Sequence, residues 1–163
     1  MTLQIFPKQH QRTKLKFFLQ KLADELGIMI WQDAAFASAM YPADDEFLQS
    51  VSLEIEQQVQ RLRNHPSLIV WAGNNENEEF LATNYFGTDS NFTLYKNDYI
   101  KLYVDTMGKI IHENDPLRYF EVSCFSNGIH SIEEGYIADD PGSSLYGDCK
   151  SIILKFLTND HHY

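Results

Sequence analysis

The apolar positions of this chain keep two different periods. Over residues 12–26 they fall at Leu15, Phe18, Leu19, Leu22 and Leu26, a spacing that predicts an amphipathic helix. Gly27 follows where a helix end often needs a left-handed residue. Next comes the continuous run Ile28-Met29-Ile30-Trp31, which suits a strand buried on both faces of a parallel sheet. The same order then returns. Asp44 and Asp45, after Pro42, predict a helix start, through N-capping and through negative charge at the positive end of the dipole. Phe47, Val51, Ile55, Val59 and Leu62 form one stripe, with Glu54, Glu56, Gln57 and Gln60 off it. Arg61, Arg63 and His65 follow where cations suit the dipole, and Pro66 stops the helix. Leu68-Ile69-Val70-Trp71 is the second buried-strand run. A weaker third unit carries the stripe Tyr99, Leu102, Tyr103, Thr106, Ile110, Ile111, interrupted by Gly108. The Asp115-Pro116 turn and a strand over residues 118–124 complete it, and residues 152–157 fit strand or helix equally. Strands alternating with helices predict an α/β fold around a parallel sheet.

Composition narrows the partners. With 163 residues, 44% hydrophobic and 22% charged, the chain has the make-up of one globular domain. A net charge of −10 disfavours nucleic acid. No apolar run approaches the roughly 18 residues that span a bilayer, so no membrane partner is expected. No continuous apolar stretch follows Met1, and no signal peptide is expected. Cys124 and Cys149 make neither a disulfide framework nor a zinc pattern, and the histidines are scattered, with His161-His162 near the end. Neither metal nor cofactor is expected. Asn91-Phe92-Thr93 is a glycosylation acceptor pattern beside the loop-like Gly87-Thr88-Asp89-Ser90.

In parallel α/β sheets, ligands bind beyond the carboxyl ends of the strands. After Trp31 comes Gln32-Asp33, and after Trp71 comes Ala72-Gly73-Asn74-Asn75-Glu76-Asn77-Glu78-Glu79. Both strands therefore deliver a carboxylate to one end of the sheet. Three Asn and three Glu in residues 74–79 are poor strand formers, so the strand should stop before them. Gly73 allows a turn or a close backbone approach. An Asn beside a Glu can orient a hydroxylated substrate against a carboxyl group. Each of these residues also has a plainer reading. Glu76 fits a solvated loop, Asp33 a cap, and Trp31 and Trp71 the core at strand ends.

The segment from Trp71 to Glu79 resembles the acid/base segment of β-mannosidases of glycoside hydrolase family 2. Further pieces resemble that family in the same order: residues 24–33 ending in Trp31-Gln32-Asp33, the Met40-Tyr41-Pro42 turn, residues 61–67, Asn127-Gly128 and Glu134-Gly135-Tyr136. The resemblance covers residues 20–148, leaving residues 1–19 unmatched and residues 149–163 as a divergent tail. It implies a partial (β/α)8 TIM barrel, about three βα units around strands three to five. It implies Glu76 as general acid/base and Asn75 as partner of the sugar 2-hydroxyl, a bond that strengthens in an oxocarbenium-like transition state. Asp33 would bind the terminal mannose and Trp31 would line its pocket. The implied activity is retaining exo-hydrolysis of terminal non-reducing β-D-mannose in glycoprotein-derived oligosaccharides, lysosomal in animals and free of cofactors.

A retaining glycosidase needs a second carboxyl about 5–5.5 Å away. The family takes it from a later Ser-Glu-Phe/Tyr-Gly-like segment, which this sequence does not contain. After Gly147-Asp148 the chain reads Cys149-Lys150-Ser151, unlike the family. The resemblance therefore implies a truncated piece without its nucleophile. Glu133-Glu134 reads as a solvated loop and not as a replacement. Two alternatives stay open. One is an inactive fragment with at most sugar or protein binding, and the other a related β-galactosidase- or β-glucuronidase-type hydrolase. The geometric expectation is that Asp33, Asn75 and Glu76 share one rim, with Asp33 and Glu76 within roughly 10 Å, given the strand spacing of a sheet.

Overall fold

A computed structural model of the chain describes residues 9–143, 145 and 146, with side chains from Phe18 onward. The readings made at Leu15, Gly147-Asp148, Cys149, residues 152–157 and His161-His162 lie outside what is described. Helix α1, Gln9–Leu26, stops at Gly27, whose φ is 66°. Strand β1 is Ile30–Asp33, later than the apolar run suggested. Ile28 and Met29 precede the ladder and stand 53% and 73% exposed. The strand is set by where pairing begins, with Ile30 N donating to Ser67 O at 2.7 Å. Backbone bonds do not depend on side-chain polarity, so the ladder runs on through Gln32 and Asp33.

Helix α2, Asp45–Leu62, starts as its sequence dictates. The Asp44 carboxylate accepts from Phe47 N at 3.0 Å. Val51, Ile55, Val59 and Leu62 are buried, Phe47 is half-buried, and Glu54, Glu56, Gln57 and Gln60 face solvent. Each buried aliphatic side chain contributes about 1.5–3 kcal/mol.

Strand β2, Leu68–Asn75, is the centre of the sheet. It pairs in parallel with β1, from Ile30↔Leu68 to Asp33↔Ala72. On its other side it pairs in parallel with β3, Tyr119–Cys124, from Val70↔Tyr119 to Asn75↔Cys124. The expected stop before Asn74 is therefore wrong. The strand passes through both asparagines because neighbouring backbone receives them. Asn74 Nδ2 donates to Val122 O at 2.8 Å, and Asn75 N donates to Phe36 O at 2.9 Å.

Between β2 and β3 lie α3 (Asn77–Ala82), a 3-10 turn (Thr88–Asn91), α4 (Phe92–Tyr99), a π-helical segment (Ile100–Gly108) and α5 (Lys109–Asn114). Helix α6, Ile129–Glu133, follows β3. Tyr99, Tyr103, Met107 and Ile111 are buried at strict four-residue steps. Such steps drift around an α-helix, and the wider π turns counter that drift. Gly108, which interrupts the stripe, has its reason in β3. A Cβ there would meet the Phe120 ring at 3.0 Å, and one on Gly73 would meet Val122 O at 2.6 Å. The core joins β2 to α2 and to the Tyr99–Ile111 face. The α/β class and the parallel sheet are as the sequence predicts.

The end of the sheet opposite the Asn-Glu run is closed by a polar hub. Arg118 Nε donates to Leu68 O at 2.6 Å, Nη1 to Arg63 O and Asp115 Oδ2 at 2.7 Å each, and Nη2 to His65 O at 2.9 Å. The buried Trp71 indole donates to the same Asp115 oxygen at 2.9 Å, so Trp71 is a core residue. Beside it Asp24 accepts from Ser67 N at 2.9 Å and faces His65 Nδ1 at 2.6 Å. Ser67 and His65 hold the Asp24 carboxyl down to about 2.

Arg118→Ala removes a charge from the buried Asp115 and one donor from each of three carbonyls. The expected loss is about 3–5 kcal/mol of unfolding free energy, the range for breaking a buried pair. Arg118→Lys should recover only part of it, because an ammonium lacks the planar fork. Urea denaturation of the three proteins measures both effects.

Candidate functional site

A central strand has to surrender its hydrogen bonds on both sides when it ends. At the end of β2 the segment after β1 takes one side, through Asn75 N to Phe36 O and Ser38 N to Asn75 O at 3.1 Å. Strand β3 takes the other, through Glu76 N to Cys124 O at 2.6 Å. Glu76 turns the chain with φ 70° and ψ 0°, left-handed, and caps α3. A non-glycine residue there costs about 1–3 kcal/mol and persists only if its surroundings enforce it. Two buried asparagines do so. Asn74 Oδ1 accepts from Asn77 N at 3.1 Å and from Ser123 Oγ at 2.7 Å. Asn77 Oδ1 accepts from Ala39 N at 3.1 Å, and its Nδ2 donates to Tyr103 OH at 2.8 Å. The half-buried Glu76 carboxylate accepts from Ser38 Oγ through Oε2 at 3.2 Å.

Asp33 closes β1 opposite Ala72, and Ala34 N donates to Ala72 O at 2.8 Å. Parallel pairing puts Asp33, Asn75 and Glu76 at the carboxyl ends of adjacent strands, on one rim. Trp31 is 38% exposed and its indole donates to Asp33 Oδ1 at 3.0 Å. Trp31 and Asp33, joined to each other, thus lie at the same end of the sheet as Asn75 and Glu76, with Asp33 in register with Ala72, three residues before Asn75. A half-buried carboxyl next in sequence to an amide can exchange a proton with a bound oxygen while the amide holds a hydroxyl.

The next carboxylate behaves differently. Glu78 has 0% exposure. Its Oε1 accepts from Ser131 Oγ at 2.8 Å and from Ala138 N at 3.1 Å, while Oε2 is buried without a hydrogen-bond partner among the described residues. Burial pushes its carboxyl up to about 7, partly offset by those two bonds and reinforced by Glu121. Glu79 is also raised, by burial and by the charge of Glu76. Glu133 and Glu134 are exposed, with Glu133 3.2 Å from His130 Nδ1 and Glu134 accepting from Asp139 N. Both are solvated as expected, but Glu133 is the last residue of helix α6 and Glu134 its C-cap, not a free loop. Asn91 is exposed in the 3-10 turn. No described helix is long and apolar enough to cross a membrane, and no group of three described His, Cys, Asp or Glu side chains could hold a metal.

Reading the sequence singled out Asn75 and Glu76 but not Asn74, Asn77, Glu78, Ser38 or Tyr103. Four of these are buried polar groups, and hydropathy does not reveal which polar residues a fold encloses. The available signal was the polar run itself, because the asparagines at 74, 75 and 77 around Glu76 suit a fully bonded turn.

Comparison with known proteins follows the same lines. A family model described as glycosyl hydrolases family 2, TIM barrel domain, matches residues 16–159. The chain is 49% identical over 128 residues to the beta-mannosidase of Rattus norvegicus, a match covering 78% of this chain and 14% of that protein. The crystal structure of a beta-D-mannosidase from Dictyoglomus thermophilum superposes with a TM-score of 0.69 at 34% identity, over 82% of this chain and 14% of that one. A beta-glucuronidase from Bacteroides uniformis superposes with a TM-score of 0.60 over 98% of this chain and 18% of that one. At 18% identity it speaks for the fold alone. The chain spans about 14% of the length of the relatives it matches.

Glu78 makes stability depend on pH. In the unfolded chain its carboxyl ionises near 4.5, and in the folded chain near 7. Stabilisation by the neutral form is therefore complete below 4.5 and is lost as pH rises through about 7, a change of roughly 3 kcal/mol. Glu78→Gln should abolish that slope. Thermal midpoints of both proteins between pH 4.5 and 8 test this, and parallel curves would contradict it.

Proposed function

Because the chain belongs to the TIM-barrel domain of glycosyl hydrolases family 2, we propose that it supplies the acid/base part of a β-mannosidase-type active site. Its three parallel strands are part of the (β/α)8 barrel. The observation that carries the reading is the Asn75-Glu76 pair at the carboxyl end of the central strand, on one rim with Asp33. In this reading the protonated Glu76 carboxyl gives its proton to the glycosidic oxygen as that bond breaks. The resulting carboxylate then takes a proton from the water that attacks the sugar. Asn75 binds the 2-hydroxyl, and Asp33 and Trp31 receive a terminal β-mannosyl unit. A retaining course requires a second carboxyl, which we assign to a segment outside these residues. Identity to the animal beta-mannosidase supports mannose over galactose or glucuronate. Exo-action on glycoprotein-derived oligosaccharides and a lysosomal setting complete the reading.

The 163-residue chain should then bind a β-mannoside without turning it over. In an NMR titration with an aryl β-mannoside, the amides of Asp33, Asn75 and Glu76 should shift. Asn75→Ala should weaken the response, and the matching β-galactoside and β-glucuronide should give less. Equal responses to all three sugars would remove the mannose assignment. Hydrolysis should stay at the level of a Glu76→Ala control. Turnover clearly above that control would place both working carboxyls inside this chain.

A further inference from the structure

Residues 34–41 leave β1 and run past the end of β2. Within them Ser38 has φ 49°, a left-handed conformation that serine rarely takes. Several contacts hold it there. Ser38 N donates to Asn75 O, and Ala39 N donates to Asn77 Oδ1. Ala37 forms a parallel bridge with Asn75. The Tyr41 hydroxyl accepts from Ala37 N at 3.3 Å and donates to Ala37 O at 3.2 Å. The segment is thus pinned to the residues on either side of Glu76. The side chain presented by this arrangement is the Ser38 hydroxyl, 3.2 Å from Glu76 Oε2. Glu76 is itself left-handed, at φ 70°. Two non-glycine residues on separate segments, both in a conformation they disfavour, meet through their side chains. Strain of this kind is retained where the surroundings over-determine it, and it points from the outlier to a role.

We propose that Ser38 is a positioning residue for Glu76: its hydroxyl anchors Oε2, so that Oε1 is the oxygen presented to the scissile bond. The proposal rests on the reading of Glu76 as the acid/base. A hydroxyl suits the task because it both donates and accepts. It donates to Oε2 when Glu76 is a carboxylate, and also when the proton resides on Oε1. The anchor therefore survives both protonation states through which an acid/base must pass.

The test uses the 163-residue chain with glutamate labelled at the carboxyl carbon, and it needs no catalytic turnover. The Glu76 carboxyl resonance is assigned by its loss in Glu76→Gln. Ser38→Gly removes the hydroxyl and accepts the left-handed backbone, Ser38→Ala removes the hydroxyl alone, and Ser38→Thr keeps it. The Gly and Ala variants should displace the Glu76 resonance alike, whereas Thr should leave it at the wild-type position. Thermal midpoints should follow the backbone instead, with Gly at or above wild type and Ala below it. An unmoved resonance in the Gly variant, or displacement by Thr equal to that by Gly, would overturn the proposal. Failure of the acid/base reading shows separately, as loss of the Asn75-dependent mannoside response in the wild-type chain.

Discussion

The arrangement depends on how a strand hydrogen-bonded along both edges is brought to an end. Strand β2 cannot simply fray, because its last peptide groups are enclosed and an unpaired buried N–H or C=O is costly. It hands them to Phe36 and Ser38 on one side and to Cys124 on the other, and reverses at a single left-handed residue. That residue is Glu76. The position of this carboxyl is thus a by-product of closing the ladder, since its backbone is tied to two neighbouring segments. Asn74, fully buried, seals the closure by joining β2, β3 and the first residue of α3 through one side chain.

Most of the framework was legible because it follows from spacing. The stripe from Phe47 to Leu62 and its Asp44 cap need no knowledge of the neighbours, and neither does the Gly27 stop. The strand ends were less so. Ile28 and Met29 are apolar but unpaired, and Asn74 and Asn75 are polar but paired, because the ladder is a matter between backbones. The π segment was hidden for a related reason. Its stripe looks helical, and only the burial of Tyr99, Tyr103, Met107 and Ile111 at strict four-residue steps goes with the wider turns. At the rim, Asp33, Asn75 and Glu76 were readable from the rule that parallel sheets work at their carboxyl ends, together with a family resemblance. Ser38 and Asn77 were not, since their roles lie in bonds across 38 residues of sequence.

Several acidic residues lie toward one end of the sheet. Asp33 ends β1, Glu76, Glu78 and Glu79 follow the end of β2, and Glu121 lies buried on β3. The fold manages this by unequal treatment. Glu76 is half-buried and bonded to a hydroxyl, while Glu78 is enclosed with serine and backbone donors around one oxygen only. Through its two bonds Glu78 ties the segment after β3 to helix α3, and below about pH 7 it does so without adding a charge beneath the rim. Two carboxyls two residues apart thereby belong to different environments, one half-buried at the rim and one fully enclosed.

Arg118 carries a consequence for how the sheet holds together. It is the donor for carbonyls of Arg63, His65 and Leu68, which end helix α2 and begin β2, yet it arrives some fifty residues later. Of the three oxygens, His65 O also has a local donor, Leu68 N; those of Arg63 and Leu68 receive theirs from the residue before β3. One guanidinium therefore makes the α2–β2 connection and the start of β3 a single unit: loosening β3 at that end would leave the turn between α2 and β2 without its donors as well.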